Sequence, residues 1–260
     1  MTGVADAPFL TASWRYLVML NYEVQAELLE PYVPPGTLLD TWHGRALVSA
    51  VGFRFLDTRL RGWLVPGHED FDEVNLRFYV RRVLRDRDWR RGVAFLKEIV
   101  PKRVVAWIAG LCYGEPYVRH RMRHRVELPE DGAAGPIRVE YCWRLRGRWN
   151  CLVGVAQGPP AAFAVGSEEE FITEHYWGYS MTRDGGTREY RVTHPPWRVW
   201  PLASAGFDGS ARQTYGTQFG EVLEGRPRSA FLAEGSGVAV YRPYSLTAEE
   251  IAWTHGNAVQ

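Results

Sequence analysis

The sequence predicts a mainly β protein, α+β by content, built as a closed antiparallel barrel or double sheet with a few peripheral helices. Stretches of alternating apolar and polar residues recur along the chain. A period of two marks a strand, because successive side chains point to opposite faces. Turn pairs such as His43-Gly44 and Arg146-Gly147 separate neighbouring stretches at hairpin spacing. About nine or ten strands against three or four short helices leave many sheet edges, and closure into a barrel is one way to bury them. No low-complexity linker or short repeat divides residues 1–260, so a single domain is expected.

The elements follow in order. SWRYLVMLNYEV opens strand-like, and a short helix is expected after it, with Asn21 as N-cap, Val24, Leu28 and Leu29 as its apolar stripe and Pro34-Pro35-Gly36 as its stop. A hairpin turning at His43-Gly44 leads into a long strand over 44–56, and strands at 71–83 and 92–99 come next. Pro101 suits the first turn of a helix over 101–113, whose Val104, Val105, Ile108, Leu111 and Cys112 share one face. YVRHRMRHRVEL alternates, and strands 137–147 and 148–157 form a hairpin. Ser167 with Glu170 three residues on is a capping box, so a short helix begins there. A strand at 187–194, a helix carrying Tyr215, Phe219 and Val222, and a final hairpin in SAFLAEGSGVAVYRP complete the reading.

Composition narrows the function classes. The net charge of +1 provides no overall field to recruit nucleic acid or an acidic membrane. The longest apolar run falls far short of the roughly 20 residues of a spanning helix. Cys112, Cys142 and Cys151 make an odd set with no CxxC pair, and no charged-then-apolar leader is seen, so a reduced, cytoplasmic setting is expected. Only Lys97 and Lys102 are lysines, against 29 arginines, which confines any amine chemistry to two positions. No nucleophile elbow, phosphate loop, dinucleotide fingerprint or HExxH motif is present. His120 and His124 share a strand side with arginines for neighbours, which disfavours a divalent ion. Arg119, Arg121, Arg123 and Arg125 read as a solvated strand face balanced by acids such as Glu127 and Glu140, with an anion or RNA patch as the rival reading.

The strand FDEVNLRFYV, residues 71–80, holds the most chemistry. One face carries Glu73, Asn75, Arg77 and Tyr79; the other carries Val74, Leu76, Phe78 and Val80. The polar face either meets water or lines a barrel interior. Further polar candidates are Glu174, His175 and Tyr176 in TEHYWGY and His194 in HPPW, with Trp177 and Trp197 as core or pocket wall.

The stretches EVNLRFYV, YGEPYVRHRM, FITEHYWGY, HPPW and AFLAEGSGVAVYRP, with LLEPYVPPGTLLDTWHGRALVSAVGF before them, resemble the YqjF-like DUF2071 family through nearly the whole chain. That family looks like a branch of the acetoacetate decarboxylase-like superfamily. The resemblance implies a closed antiparallel barrel or double sheet around an internal pocket. In acetoacetate decarboxylase a strand with a Glu-x-Asn start gives an acid to the pocket, so the resemblance favours an inward-facing Glu73, Asn75 and Arg77. The decarboxylase nucleophile is the second lysine of a Gly-x-Pro-Lys-Lys stretch. Here GEPYV keeps Pro116 but sets Tyr117 and Val118 where the lysines would stand, so Schiff-base chemistry is not expected.

The expected site is therefore a pocket lined by Glu73, Asn75, Arg77, Tyr79 and Tyr117, with Glu73 and His194 as candidate proton carriers, no metal and no cofactor. The expected partner is a small anionic or oxygenated organic molecule, with neither nucleic acid nor membrane; a homo-oligomer is left open. Acid–base catalysis of a lyase or hydratase type is the alternative.

Overall fold

The structure, a computed structural model, describes residues 7–86, 88–101, 116–129 and 135–256, apart from the side chain of His255. Its first half contains β1 (Leu10–Val24), helix α1 (Ala26–Leu29) with a 3-10 turn over Glu30–Tyr32, β2 (Leu38–Leu39), β3 (Ala46–Leu60), β4 (Trp63–Leu64), β5 (Phe71–Val83) and β6 (Trp89–Val100). Next come β7 (Tyr117–Arg119), β8 (Arg121–Glu127), β9 (Ile137–Leu145), β10 (Arg148–Ala156) and β11 (Ala161–Ala162). Helix α2 (Glu168–Thr173), β12 (Trp177–Met181), β13 (Thr187–Thr193) and β14 (Arg198–Asp208) follow. Helix α3 (Ala211–Glu224), β15 (Ser229–Val240), β16 (Tyr244–Ser245) and helix α4 (Ala248–Gly256) come last.

Strands β13, β12, β6, β5, β3, β1 and β15 pair in that order, and β15 returns to β13 through Val192–Val240 and Thr193–Ala239, which closes a ring. The sheet is mixed: β6 runs parallel to β12 at one end and to β7 at the other, while the remaining ring pairs are antiparallel. From β15 the sheet continues outward through β14, β10, β9 and β8. The predicted hairpin at 137–157 thus lies outside the ring, where it forms an outer layer over β1, β3 and β5.

This arrangement buries β5 on both faces. Val74, Leu76 and Phe78 pack outward against Tyr141, Trp143 and Leu152 of the outer layer and against Tyr215 and Phe219 of α3. Phe71 and Tyr79 face the ring interior with Phe53, Val93, Trp197 and Phe231. The alternation of β5 therefore distinguishes two interiors.

Local signals explain much of this. Ser167 Oγ accepts the Glu170 amide, capping α2 as the motif requires. Arg146 and Gly147 both have positive φ, 48° and 83°, which gives the β9–β10 hairpin the twist its strands need. Tyr215 and Phe219 are both buried, but Gly216 (φ 80°, ψ 179°) kinks α3 between them and Val222 is only half-buried, so the three do not share one continuous helical face.

Other expectations are corrected. Asn21 caps no helix: it lies within β1, with its amide on Ser229 Oγ at 3.0 Å, and α1 starts after Gln25. His43-Gly44 turns tightly between Trp42 and Arg45, but β2 pairs with β5 instead of β3. SAFLAEGSGVAVYRP makes no hairpin, since β15 runs unbroken from Ser229 to Val240. Its Gly235 (φ 79°) opposes Arg15, and a Cβ there would stand 2.0 Å from the Trp14 carbonyl oxygen. Strand β14 and helix α4 have no counterpart in the sequence reading. The helix predicted at 101–113 lies outside the described residues, apart from Pro101.

The cysteines also differ from expectation. Cys142 and Cys151 sit directly opposite on β9 and β10, with Cα atoms 4.1 Å apart, and are joined as a disulfide. Adjacency across the hairpin creates a pair that no CxxC spacing announces. Among the described residues, no helix is long and apolar enough to cross a membrane.

Candidate functional site

The inward face of β5 delivers Glu73, Asn75 and Arg77 to a cavity of about 140 Å³ inside the ring. Glu73 is 3% exposed, and its Oε1 accepts a hydrogen bond from Asn75 Nδ2 at 2.9 Å. Tyr117, from β7, also hydrogen-bonds Glu73. Burial dominates over these contacts and over the positive charge of Arg77, and pushes the Glu73 carboxyl up to about 7. Asn75 lies opposite Glu98 of β6, and Glu98 in turn lies beside Tyr117, so a second buried acid reaches the same cavity.

Arg77, though on one face of β5 with Glu73, is not joined to it by a salt bridge. Its Nη2 instead donates to the Ile172 carbonyl at 3.2 Å, one of the last-turn carbonyls of α2 that has no partner within its own helix. Its Nε has no partner among the described residues. Tyr79 shares the β5 face but does not line the cavity. It lies 2.5 Å from Ser49 Oγ, and because that hydroxyl already donates to Asn21 Oδ1, the Tyr79 hydroxyl is the donor.

His175 lines the cavity from just beyond α2, with Nε2 at 3.2 Å from Asp40 Oδ2. Burial opposes ionisation of Asp40, but hydrogen bonds from His175 and Arg91 outweigh it and hold that carboxyl below its ordinary value. Burial, aided by the nearby arginines, lowers His175 to about 4, so the ring is neutral at pH 7. A neutral ring facing a carboxylate donates through Nε2 and leaves Nδ1 with a lone pair, and Nδ1 has no partner among the described residues. His194 also lines the cavity, stacked on Trp197 at 4.2 Å with its Nδ1 donating to the Pro195 carbonyl. Burial lowers its pKa. Glu174 and Tyr176 hydrogen-bond each other and take no part in the cavity wall.

Lys97 faces the other way. It lies opposite Leu76, on the outward face, and its Nζ donates to the Thr214 carbonyl of α3. An irregularity in β6 sets this direction: Leu76 pairs with Lys97 but Arg77 pairs with Phe95, so Leu96 is an extra residue. Val118 likewise packs into the outer core, so the inward position of that strand is Tyr117. Lys102 lies outside the described residues.

Arg121, Arg123 and Arg125 are exposed on β8, where Arg125 meets Glu127 and Arg123 lies over the Trp149 ring at 4.4 Å. His124 Nδ1 sits 2.9 Å from Asp72. Sequence reasoning missed Glu98, the Asp40–His175 pair and the aromatic wall of Trp14, Phe53, Phe55 and Phe71.

A ring of strands with an outer sheet and helix α3 against it is the acetoacetate decarboxylase-like fold. Acetoacetate decarboxylase from Legionella pneumophila subsp. pneumophila superposes with a TM-score of 0.62 at 13% identity, covering 95% of this chain and 92% of that one. The enduracididine biosynthesis enzyme MppR complexed with pyruvate gives 0.64 at 14% identity, covering 95% and 94%. The chain belongs to the DUF2071 family, described as an uncharacterized conserved protein, whose profile matches residues 11–236. The uncharacterized protein YqjF of Bacillus subtilis (strain 168) is 24% identical over 189 residues, 71% of this chain and 72% of that protein.

Proposed function

We propose that the ring is a binding chamber for a small organic molecule carrying a carboxylate or carbonyl oxygen, which Arg77 receives. The observation that carries this reading is the Arg77 guanidinium at the cavity wall. Among the described residues its Nε is unpartnered and no carboxylate lies within salt-bridge distance of it. A planar fork with spare donors suits an oxyanion. Pyruvate bound in a protein of the same fold supports the ligand class.

Calorimetric titration of small carboxylates, with pyruvate and benzoate among them, tests it. Arg77→Met should weaken binding by about 1.5–3 kcal/mol, the range for a lost charge-assisted hydrogen bond. Equal affinities in the two folded proteins would overturn the proposal.

One observation favours a second reading. A buried carboxyl with a pKa of about 7 can both hold and release a proton near neutral pH. In that reading the chamber runs lyase- or hydratase-type acid–base chemistry, with Glu73 as proton carrier and His194 as the other candidate. We further propose that it proceeds without a Schiff base. The outward direction of Lys97, and Tyr117 and Val118 at the positions of the decarboxylase lysines, support this.

A further inference from the structure

We infer that the chamber's ligand is amphipathic: an acid whose carboxylate sits on Arg77 and whose apolar body, of about benzene size, lies against Phe53, Phe55 and Phe71. This rests on the carboxylate reading above and adds the other half of the molecule. Strand β5 serves as a ruler, because inward residues two apart are separated by roughly 6.6 Å along a strand. Going down from Arg77, the inward positions are Asn75, Glu73 and then Phe71. The polar groups therefore end at Glu73, and an aromatic segment begins one step later.

The neighbouring strands extend the aromatic end at the height of Phe71. Phe55 of β3 pairs with Phe71, and the two rings stack at 4.5 Å and 14°. Trp14 of β1 pairs with Phe55, and its ring meets Phe53 edge-on at 5.3 Å. Leu10 pairs with Leu60 beyond them, and both line the cavity. At the Arg77 end the wall carries Glu98 and His175 as well as Phe95, which pairs with Arg77. The end around Phe71 is thus aromatic and aliphatic on three strands, while the polar groups gather around Arg77, with Phe53 opposite Glu73 and Phe95 opposite Arg77 among them.

A short acid such as acetate would satisfy Arg77 and leave the aromatic end filled with water, which an apolar wall disfavours. An apolar cavity of about 150 Å³ accommodates benzene, and this one measures about 140 Å³. The matching ligands are aryl or branched-chain acids with roughly six to nine non-hydrogen atoms by that size comparison.

The test is a titration series on the full chain with acetate, pyruvate, 4-methyl-2-oxopentanoate, benzoate and benzyl alcohol. Each buried methylene improves affinity roughly fourfold, so 4-methyl-2-oxopentanoate and benzoate should bind at least tenfold more tightly than pyruvate and acetate. Benzoate should also exceed benzyl alcohol, and Arg77→Met should erase that advantage. Phe53→Leu should weaken the two larger acids by more than it weakens pyruvate; the series on the unaltered protein stands without this variant. Pyruvate binding as tightly as 4-methyl-2-oxopentanoate, with Arg77 dependence intact, would overturn the amphipathic inference alone. Binding of no acid, or binding indifferent to Arg77, would overturn the carboxylate reading and this inference together.

Discussion

Replacing Glu73 with glutamine should change how stability responds to pH, by an amount that follows from its burial. The carboxyl moves from 4.5 to about 7 on folding because it is desolvated in the ring interior. Between those values the folded chain keeps a proton that the unfolded chain has lost. Folding is therefore supported most strongly below pH 4.5, the support declines as pH rises toward 7, and it is gone above that. Each tenfold difference in proton affinity between the two states is worth about 1.4 kcal/mol, so the contribution lost between pH 5 and pH 8 is about 2.5 kcal/mol. The substituted amide would still offer an oxygen to Asn75 and Tyr117, and any fixed cost of burying it is the same at both pH values. Urea unfolding of both proteins at pH 5 and pH 8 gives the double difference, in which all other titrating groups cancel. Wild type should lose about 2.5 kcal/mol more than Glu73→Gln on going to pH 8. Parallel pH profiles would show that Glu73 is ionised and well solvated in the folded state, and its role as a proton carrier would fall with that.

Three further outcomes are expected. Borohydride reduction in the presence of pyruvate or acetoacetate should leave the protein mass unchanged, and an adduct mapped to Lys97 or Lys102 would restore a lysine mechanism. Gly235→Ala should cost at least about 2 kcal/mol, read as a lower urea midpoint, because its Cβ would need both a positive φ and space held by the Trp14 carbonyl. Alkylation of the unreduced, denatured protein should modify one cysteine of three; modification of all three would mean that Cys142 and Cys151 are not bonded.

The strands are legible where one periodicity rules an entire segment. Alternation places β5 at its observed limits, and a capping box locates α2. The same box recurs as Thr247 and Glu250, whose amide donates to Thr247 Oγ1 at 3.2 Å, so α4 carries a readable start signal that the sequence reading missed. Gly235 misleads for a physical reason: a turn recruits a glycine with positive φ, and so does a strand interior where a partner's backbone comes close, here the Trp14 carbonyl. Glu73, Asn75 and Arg77 can be placed together because they lie on one strand. Asp40 and His175 cannot, because 135 residues separate them and only the pairing of β12 with β6 and of β6 with β5 brings them together.

The extra residue at Leu96 has a consequence for the chemistry available to the chamber. Val93 and Phe95 both line the cavity, and a regular strand would have turned Lys97 inward after them and Glu98 outward. The insertion inverts that order, giving the chamber a carboxyl group and leaving the amine against α3. Whether this interior presents an amine or an acid is thus decided by how β6 accommodates Leu96, with every side chain unchanged. Pairing the same residues without the irregularity would exchange the two groups, whereas deleting Leu96 would leave Lys97 opposite Leu76 and Glu98 opposite Asn75.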